Sequence, residues 1–362
     1  MTRADCLHQR TPVEIHGFPL QARATLPPRI DSRTLHAGPT TPQLAPPTDP
    51  DENAASLSNL AEILFSCLEA IDAEHVIEIG AFHGKSTGDL VGWATRRGAR
   101  ITAVDPSPQA ELLELAAVHP ELELLEATSH EALCELPRAD AVLLDGDHNW
   151  YTLIEELRLI EARAPGADLP LIMLHDLGWP LARRDSYYAP ERIPPEHRQP
   201  LARRTFLLPG APGVVERGMP FECVAAREGG PRNGILTAVE DFVGERAELR
   251  LAIVPAFFGL GVLWQREAPW AEAVEAIISP WDRNPLLARM EENRVAHMAE
   301  RWGLYGRLEI SIAELNRHRE RRQALHGMLE SRAFALAESL SRLHGRGRPA
   351  FSRAEVRRTL DE

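Results

Sequence analysis

The sequence predicts an α/β fold, a doubly wound, mostly parallel sheet that ends in a β-hairpin. Five short apolar runs alternate with segments of helical spacing between residues 57 and 178. Nearly every residue of these runs is apolar, which is typical of parallel strands covered on both faces. Two further runs, LRLAIVPA and FGLGVLWQR, follow one another across a short turn and predict the hairpin.

The elements follow in a regular order. The first is a helix, SLSNLAEILFSCLEAI, whose leucines and isoleucine form one stripe. The predicted parallel strands are HVIEIG, RITAVDPS, LELLEATS, DAVLLDGDH and PLIMLHDLG. The helices between them are KSTGDLVGWATRRG, PQAELLELAAVHP, HEALCELP and WYTLIEELRLIEARAPG, and NGILTAVEDFVGE precedes the hairpin. Because ligands of such sheets bind at the carboxyl ends of the strands, polar residues at those ends are the candidate site.

Three regions flank or interrupt the sheet domain, which is expected to span residues 56–266. Residues 1–55 are rich in Pro, Thr and Ala and predict a poorly ordered arm. The Pro- and Arg-rich residues 180–232 are predicted to form a lid or substrate loop. Residues 267–362 predict a helical extension with a basic amphipathic tail. We expect this tail to pack on its own domain or to join a second copy in a homo-oligomer; a membrane or an acidic partner is the alternative.

Composition and charge exclude several classes of protein. The formal net charge of -13 argues against a nucleic-acid-binding body. The N-terminus carries no apolar signal segment, and no apolar run is long enough to cross a bilayer. The four cysteines are scattered without metal-binding spacing, which suits a reducing compartment. We therefore expect a cytoplasmic protein with no transmembrane segment.

The loop after the first strand, IGAFHGKST, approaches a phosphate-binding P-loop. That motif needs four residues between its glycines, so that the backbone N–H groups wrap the phosphates. Gly80 and Gly84 are separated by three residues, which changes the amides that converge. Since AVLLDGDH could supply a magnesium-binding aspartate, a P-loop-like NTPase stays an alternative.

The succession of strand, E-x-G-x-x-x-G, helix, strand and acid resembles the class I S-adenosylmethionine-dependent methyltransferases, which have a Rossmann-like fold. TSHEAL, LLDGDHNWY and LIMLHDLGW resemble a bacterial branch that methylates hydroxyls of sugars and other natural products, often with magnesium. The resemblance covers about residues 57–266. It implies a methyltransferase domain, S-adenosylmethionine as cofactor and a small-molecule or glycan acceptor.

The resemblance also implies which residues bind the cofactor. Glu78, Gly80 and Gly84 would form the loop against its methionine portion, while Ser86 and Thr87 would cap the following helix, whose amides face the cofactor carboxylate. Asp105, 25 residues after Gly80, would accept both ribose hydroxyls, and Ser129 would lie beside the adenine. The whole predicted set is Glu78, Gly80, Ala81, Phe82, Gly84, Ser86, Thr87, Asp105, Ser129 and Asp145.

Acids and imidazoles follow the fourth and fifth strands. A neutral hydroxyl is a poor nucleophile at pH 7, so methylating it needs a general base or a metal that lowers its pKa. By the resemblance, Asp145 and Asp176 match the two metal-binding acids of magnesium-dependent O-methyltransferases. His148 lies where those enzymes place a catalytic base. We therefore predict Asp145 and His148 as the catalytic residues and magnesium as the metal.

The metal set departs from the pattern of the catechol-type enzymes. Where they have Asp-Asn, this chain has Asp176-Leu177, so one amide ligand is missing. His175 or Asp147 could replace it, and we take His175 as the third ligand. Two structural alternatives stay open: Asp147 caps the helix that begins near Asn149, and His175 holds the end of its strand.

Aromatic and arginine side chains of the predicted lid suit a polar acceptor such as a sugar. Alternatively, these side chains pin the loop to the domain. They are Trp179, Arg183, Arg184, Tyr187, Tyr188 and His197.

Other functions also stay open. A glycosyltransferase would hold a nucleotide-sugar through a metal on the D-x-D of Asp145 and Asp147. A non-catalytic assembly protein would retain only the fold. Even for a methyltransferase, these residues do not distinguish a hydroxyl from an amine acceptor.

Overall fold

The computed structural model describes residues 56–164, 169–344 and 352–361. The predicted arm, residues 1–55, lies outside the described residues. The strands of the described part, in chain order, are β1 (His75–Ile79), β2 (Arg100–Val104), β3 (Leu122–Leu125), β4 (Ala141–Leu144), β5 (Leu171–Leu174), β6 (Leu201–Leu207), β7 (Met219–Ala225), β8 (Leu249–Val254) and β9 (Leu260–Gln265).

The predicted α/β architecture is confirmed. Seven strands form one sheet in the order β3-β2-β1-β4-β5-β9-β8. β1 to β5 pair in parallel, whereas β9 is antiparallel to both β5 and β8. The β8–β9 hairpin therefore closes the sheet as expected, and its second strand is the one beside β5. The winding direction reverses between β1 and β4, which makes that pair the topological switch point of the sheet.

Helices cover both faces of this sheet. The helices of the described part, in chain order, are α1 (Ala61–Ala70), α2 (Lys85–Arg97), α3 (Ala110–Val118), α4 (Ser129–Glu135), α5 (Trp150–Ala162), α6 (Ile235–Gly244), α7 (Ala271–Ile278), α8 (Pro285–Glu330), α9 (Arg332–His344) and α10 (Arg353–Asp361). Leu64, Trp93, Leu112 and Val274 pack α1, α2, α3 and α7 into one buried cluster. Leu133, Leu157 and Phe242 pack α4, α5 and α6 into a second cluster on the other face. Both faces of the strands are buried, which explains why their sequences show no alternation.

The predicted lid segment (residues 180–232) contains a small antiparallel sheet of β6 and β7. The sequence pattern did not predict these strands, because proline and arginine interrupt the apolar alternation that marks a half-buried strand. Short 3₁₀ turns at Pro190–Arg192 and Pro195–His197 precede β6.

The C-terminal part of the described chain is helical, as predicted. α8 is 46 residues long, and the Asn284 side chain caps it by accepting from the N–H groups of Leu286 and Leu287. Among the described residues, no helix combines the length and the apolar character that crossing a membrane requires.

Candidate active site

The loops after β1 and β4 meet at the switch point of the sheet. Gly80 follows β1 with φ of +86°, a conformation that favours glycine. A Cβ atom on Gly80 would lie 2.1 Å from the carbonyl oxygen of Asp145, which follows β4. The two loops are therefore in backbone contact, and the crevice where such folds bind ligands lies beside this contact.

Glu78 organises the loop after β1 from beneath. Its buried carboxylate accepts hydrogen bonds from the Ser86 hydroxyl at 2.6 Å and the Thr87 hydroxyl at 2.7 Å. Burial raises the pKa of Glu78 to about 7, against the lowering effect of these two hydrogen bonds. The N-cap of α2 is Gly84, so the expectation that Ser86 and Thr87 cap the helix is wrong. Their hydroxyls bond to Glu78 because both lie within the first turn, on its side of the helix.

Asp105, directly after β2, links the loop after β1 to the loop after β2. One carboxylate oxygen accepts from the N–H of Phe82 at 2.8 Å, and the other accepts from the N–H of Ser107 at 2.7 Å. These bonds hold Phe82 at φ of +45°, with half of its side chain exposed. Each carboxylate oxygen has two acceptor positions, so both can also accept from a ribose hydroxyl.

The remaining predicted cofactor residues lie at the same edge of the sheet. Ala81 is buried in the loop after β1, and Gly84 ends that loop at φ of +79°. Ser129 begins α4, and its hydroxyl bonds to the buried Glu156 on α5. Because the hydroxyl of Ser129 is engaged by Glu156, a contact of Ser129 with adenine at the predicted position would come from its backbone.

Four side chains after β4 and β5 form the acid–imidazole cluster: Asp145, His148, His175 and Asp176. The Nε2 atom of His148 lies 2.8 Å from Asp176 Oδ2 and 3.3 Å from Asp145 Oδ1. The Nδ1 atom of His175 lies 3.1 Å from the same Asp145 oxygen. The structure therefore brings together the four residues that sequence reasoning placed at two adjacent strand ends.

Electrostatic interactions between the side chains of this cluster shift the pKa of three of them, His175, His148 and Asp145. Burial by itself would lower the pKa of His175, but the charges of Asp145 and Asp176 raise it to about 9. The pKa of His148 is likewise raised: burial lowers it, but the charge of Asp176, the Tyr188 hydroxyl and the hydrogen bonds to Asp145 and Asp176 together outweigh burial. In return, the two imidazoles lower the pKa of Asp145, although burial alone would raise it. Two negative and two positive side chains balance each other in a partly enclosed site.

The donor set of the cluster fits a divalent cation. Asp145, His148 and Asp176 can each offer one ligand atom, and these atoms lie within 4.8 Å of one another. Carboxylate oxygens suit magnesium, and an imidazole extends the choice to softer divalent ions. Sequence reasoning treated His148 only as a base, although its spacing of three residues from Asp145 could have indicated a shared ligand. His175 contacts the same oxygen of Asp145 but is outside this three-ligand group.

Asp147 has a different environment from Asp145. Its Oδ2 atom accepts from the Asn149 side-chain amide at 2.7 Å and from the Thr152 hydroxyl at 3.1 Å. Asn149 itself caps α5 by accepting from the N–H of Thr152. Asp147 therefore supports the start of α5 through two side chains, but the N-cap is Asn149, so the alternative in which Asp147 itself caps the helix is wrong. A glycosyltransferase D-x-D, in which both acids hold one metal, is not supported by this arrangement.

Most lid residues singled out in the sequence make structural contacts, either within the segment or to the domain. Arg184 is 1% exposed and donates to the carbonyl oxygens of Ala225 and Pro212. Arg183 forms a two-pronged ion pair with Glu240 of α6. The Tyr187 hydroxyl donates to Asp185, and the His197 ring stacks on Tyr151 at 4.8 Å between centroids. Arg184 and Tyr187 thus hold the segment together, while Arg183 and His197 attach it to the domain.

Tyr188 differs from these residues. Its side chain is 65% exposed, and its ring centroid lies 5.9 Å from that of His148. It is thus an aromatic surface of the lid segment beside the acid–imidazole cluster.

Sequence reasoning missed Asp185, which ties the lid to the sheet domain. Its buried carboxylate accepts from the N–H groups of Trp150 and Gly234 and from the Tyr187 hydroxyl. Burial raises the pKa of Asp185 to about 6, against the lowering effect of these bonds. No local pattern indicates this role, because the two backbone N–H groups that Asp185 binds are 35 and 49 residues away in the chain.

Comparison with known proteins agrees with this geometry. Residues 77–176, from β1 to the residue after β5 that completes the cluster, match a family model described as a methyltransferase domain. Together with the sheet order and the glycine loop, this match indicates an S-adenosylmethionine-dependent methyltransferase domain within residues 77–176. It favours a methyltransferase over the NTPase and glycosyltransferase alternatives. A search of curated proteins found no significant match.

Several solved structures resemble the chain. The SAH-bound methyltransferase PaMTH1 of Podospora anserina is 15% identical, with 61% of this chain and 83% of that chain covered and a TM-score of 0.37. A proposed caffeoyl-CoA O-methyltransferase of Staphylococcus aureus is 8% identical, with 57% and 83% covered and a TM-score of 0.37. A proposed O-methyltransferase of Nostoc punctiforme is 17% identical, with 57% and 56% covered and a TM-score of 0.35. Similarity at these levels does not indicate what this chain methylates.

Proposed function

We propose that the protein transfers a methyl group from S-adenosylmethionine to a hydroxyl of a sugar, glycan or small natural product, with help from a divalent cation. The observation that carries this proposal is the convergence of Asp145, His148 and Asp176 at the crevice beside the glycine loop. A cofactor crevice and an acid–imidazole cluster at one edge of the sheet are what alignment and activation of an acceptor hydroxyl require.

The cofactor would lie across the ends of β1, β2 and β4. S-adenosylmethionine supplies an electrophilic methyl group on a sulfonium. Gly80 and Gly84 let the backbone approach its methionine portion, and the first N–H groups of α2 face its carboxylate. Each carboxylate oxygen of Asp105 already accepts one backbone N–H and has one acceptor position free. Asp105 would accept from the ribose hydroxyls at these free positions. The full proposed set remains Glu78, Gly80, Ala81, Phe82, Gly84, Ser86, Thr87, Asp105, Ser129 and Asp145.

A divalent cation, magnesium in the first instance, would be held by Asp145 and Asp176. When bound, such an ion lowers the pKa of a hydroxyl that it contacts and neutralises part of its negative charge. The third ligand would be a histidine that has lost the proton of its ligating nitrogen, and the convergence of ligand atoms favours His148 over the predicted His175. His175 would orient Asp145 through the hydrogen bond at 3.1 Å.

His148 has a second proposed role, that of the general base. A nitrogen bound to a cation cannot accept a proton, so the two roles exclude each other at any one moment. In the arrangement described, its Nε2 proton is directed at Asp176 at 2.8 Å. Proton removal by His148 therefore requires that Nε2 first lose its proton and that the acceptor hydroxyl replace Asp176 as its partner.

The cluster favours a hydroxyl acceptor over an amine. An unprotonated amine is already nucleophilic and needs neither two carboxylates nor two imidazoles beside it. The exposed ring of Tyr188 supports an acceptor with a flat, partly apolar face, such as a sugar ring. A sugar or glycosylated compound thus fits both the chemistry and the surface.

We also propose a cellular location and an oligomeric state for the protein. A cytoplasmic protein that binds no nucleic acid agrees with the acidic composition. A homo-oligomer built through the C-terminal helices agrees with the exposed apolar side chains of α8 and α9, among them Leu304, Leu315, Leu325, Leu336 and Leu343.

Ligand-dependent thermal unfolding tests the proposed function. Purified protein is heated alone and with saturating S-adenosylhomocysteine, UDP-glucose or ATP, each with and without magnesium. A ligand present at 100 times its Kd stabilises by about 2.7 kcal/mol, which is a shift of several degrees. We expect the shift with S-adenosylhomocysteine and not with the nucleotides. Mass spectrometry of a panel of sugars and phenols incubated with S-adenosylmethionine then identifies the acceptor, and stabilisation by UDP-glucose or ATP alone would refute the proposal.

A further inference from the structure

The turn between β8 and β9 has an unusual backbone. Phe257 and Phe258 both have positive φ, at +50° and +68°. Two successive bulky residues in this region are unfavourable unless other contacts hold them there. Those contacts come from α8: Glu291 accepts from the N–H of Phe257 at 3.1 Å and from the N–H of Phe258 at 2.7 Å.

Glu291 is itself held in place. Arg294 donates to both of its carboxylate oxygens, each at 2.6 Å, in a paired arrangement that fixes the plane of the carboxylate. The Arg294 guanidinium lies over the Phe258 ring, 4.4 Å from its centroid. Only 14% of the Glu291 side chain is exposed, so solvent screens this arrangement weakly.

The other side of the same turn faces the acid–imidazole cluster. The carbonyl oxygen of Phe257 accepts from His175 Nε2 at 2.8 Å. The carbonyl of the next residue, Phe258, accepts from the N–H of Gly178, just past the cluster. The turn thus joins α8 to the segment that carries His175 and Asp176.

A continuous set of hydrogen bonds therefore runs from α8 to Asp145. Because a carbonyl oxygen can only accept, Nε2 of His175 must carry a proton, and the ring directs Nδ1 at Asp145 Oδ1. We infer that Glu291, on the C-terminal extension, is a positioning residue for the active site: it holds the β8–β9 turn so that Phe257 sets the orientation of His175, which in turn orients Asp145. This inference rests on the proposed function, in which Asp145 acts on the acceptor.

The control comes from the same extension. Asp282 accepts from the N–H of Ile253 on β8 at 2.8 Å, and its side chain is also 14% exposed. It is a carboxylate that binds the neighbouring backbone without contacting the turn at Phe257. Substitution of Asp282 therefore reports what the loss of such a carboxylate does to the fold in general.

The experiment compares Glu291→Ala, Glu291→Gln and Asp282→Ala with the parent protein. Long-range ¹H–¹⁵N spectra of the metal-free protein report the protonation of the histidine ring nitrogens, and the His175 signals are those lost in His175→Gln. We expect Glu291→Ala to change the His175 signals and Glu291→Gln, which keeps one acceptor oxygen, to change them less. Asp282→Ala should leave them as they are.

Kinetics and cofactor binding give the second readout. Removing a residue that orients an active-site group through another residue costs roughly 10–100-fold. We expect kcat of Glu291→Ala to fall by about that factor, with KM for S-adenosylmethionine and the affinity for S-adenosylhomocysteine within about threefold of the parent. Unchanged His175 signals in Glu291→Ala, or an equal change in Asp282→Ala, would overturn the inference.

The two hypotheses fail in distinguishable ways. If the parent protein does not bind S-adenosylhomocysteine, the proposed function fails, yet the His175 spectra still decide whether Glu291 positions the ring. If Glu291→Ala does not fold, Glu291→Gln and Arg294→Lys carry the test, since both keep part of the hydrogen-bonded set.

Discussion

The backbone of Gly80 lies directly against the carbonyl group of Asp145, so closely that a methyl group on Gly80 would overlap it at 2.1 Å. The contact joins the end of β1, which leads into the cofactor loop, to the end of β4, which leads into the acid–imidazole cluster. The crevice and the chemical groups are thus positioned by one backbone contact at the switch point of the sheet.

Gly80→Ala is expected to disrupt this contact. The added Cβ collides with backbone atoms that cannot move like a flexible side chain, and φ of +86° disfavours alanine. We expect the free energy of unfolding to drop by about 2–4 kcal/mol and S-adenosylhomocysteine binding to be lost in calorimetric titration. Gly88→Ala is the control, because nothing lies within 4 Å of its Cβ position in α2. It should raise stability by about 0.5–1 kcal/mol and leave binding intact, and equal losses in the two variants would contradict the assignment.

Asp176→Asn and Asp147→Asn should have very different effects. Asp176 contacts His148 and belongs to the three-ligand group, whereas Asp147 bonds to Asn149 and Thr152. We expect kcat of Asp176→Asn to fall roughly 100-fold or more, with S-adenosylhomocysteine still bound. Asp147→Asn keeps an oxygen acceptor for Asn149 and Thr152, loses only the long 3.5 Å bond from the N–H of Tyr188, and should stay within about threefold of the parent.

Metal removal completes this comparison. If a divalent cation assists the reaction, dialysis against EDTA should reduce methyl transfer by the parent protein, and added magnesium or manganese should restore it. Activity that survives EDTA unchanged while His148→Gln abolishes it would assign His148 as a general base without metal.

Two neighbouring tyrosines of the lid segment are expected to act differently. Tyr188 is exposed beside His148, so Tyr188→Ala should raise KM for a sugar acceptor about tenfold through lost stacking, with stability unchanged. Tyr187 donates to Asp185 and accepts from the N–H of Gln199, so Tyr187→Phe should lower the free energy of unfolding by about 1–3 kcal/mol. A change of KM in Tyr187→Phe alone would show that the acceptor contacts have been assigned to the wrong residue.

Stability should fall as pH rises, in part because of Glu156. Burial raises its pKa from 4.5 to about 8, against the lowering hydrogen bond from Ser129. The folded state keeps a proton that the unfolded state has lost, so the contribution of Glu156 is complete below pH 4.5 and is lost as pH rises toward 8. Glu156→Gln should remove this loss, on the order of 2–4 kcal/mol, in denaturant titrations at pH 5, 7 and 8.5.

The control for Glu156 is its neighbour on α5. Glu155 accepts from Arg158, and Glu155→Gln reports what the loss of a carboxylate on α5 does to stability in general. If Glu156→Gln instead lowers stability at every pH by the same amount, its carboxyl is ionised in the folded protein.

The sequence by itself determined the class of fold and the location of the site. Apolar runs without alternation indicate strands buried on both faces, and this signal is local, since each residue reports its own burial. The glycine at position 80 and the acids at 145 and 176 follow such runs directly. Their placement at one edge of the sheet is a consequence of parallel strand pairing, which needs no knowledge of side-chain contacts.

Only the tertiary structure decided what each polar side chain does. Asp145 and Asp147 are two residues apart and chemically equal, yet one faces the cluster and the other supports α5. In the sequence, Arg184 and Tyr188 looked equally suited to bind an acceptor, but Arg184 is buried in the structure and Tyr188 is exposed. Phe257 lies 82 residues from His175 and 34 residues from Glu291 in the chain. No periodicity links such positions, because their hydrogen bonds depend on how the hairpin and α8 pack against the end of β5.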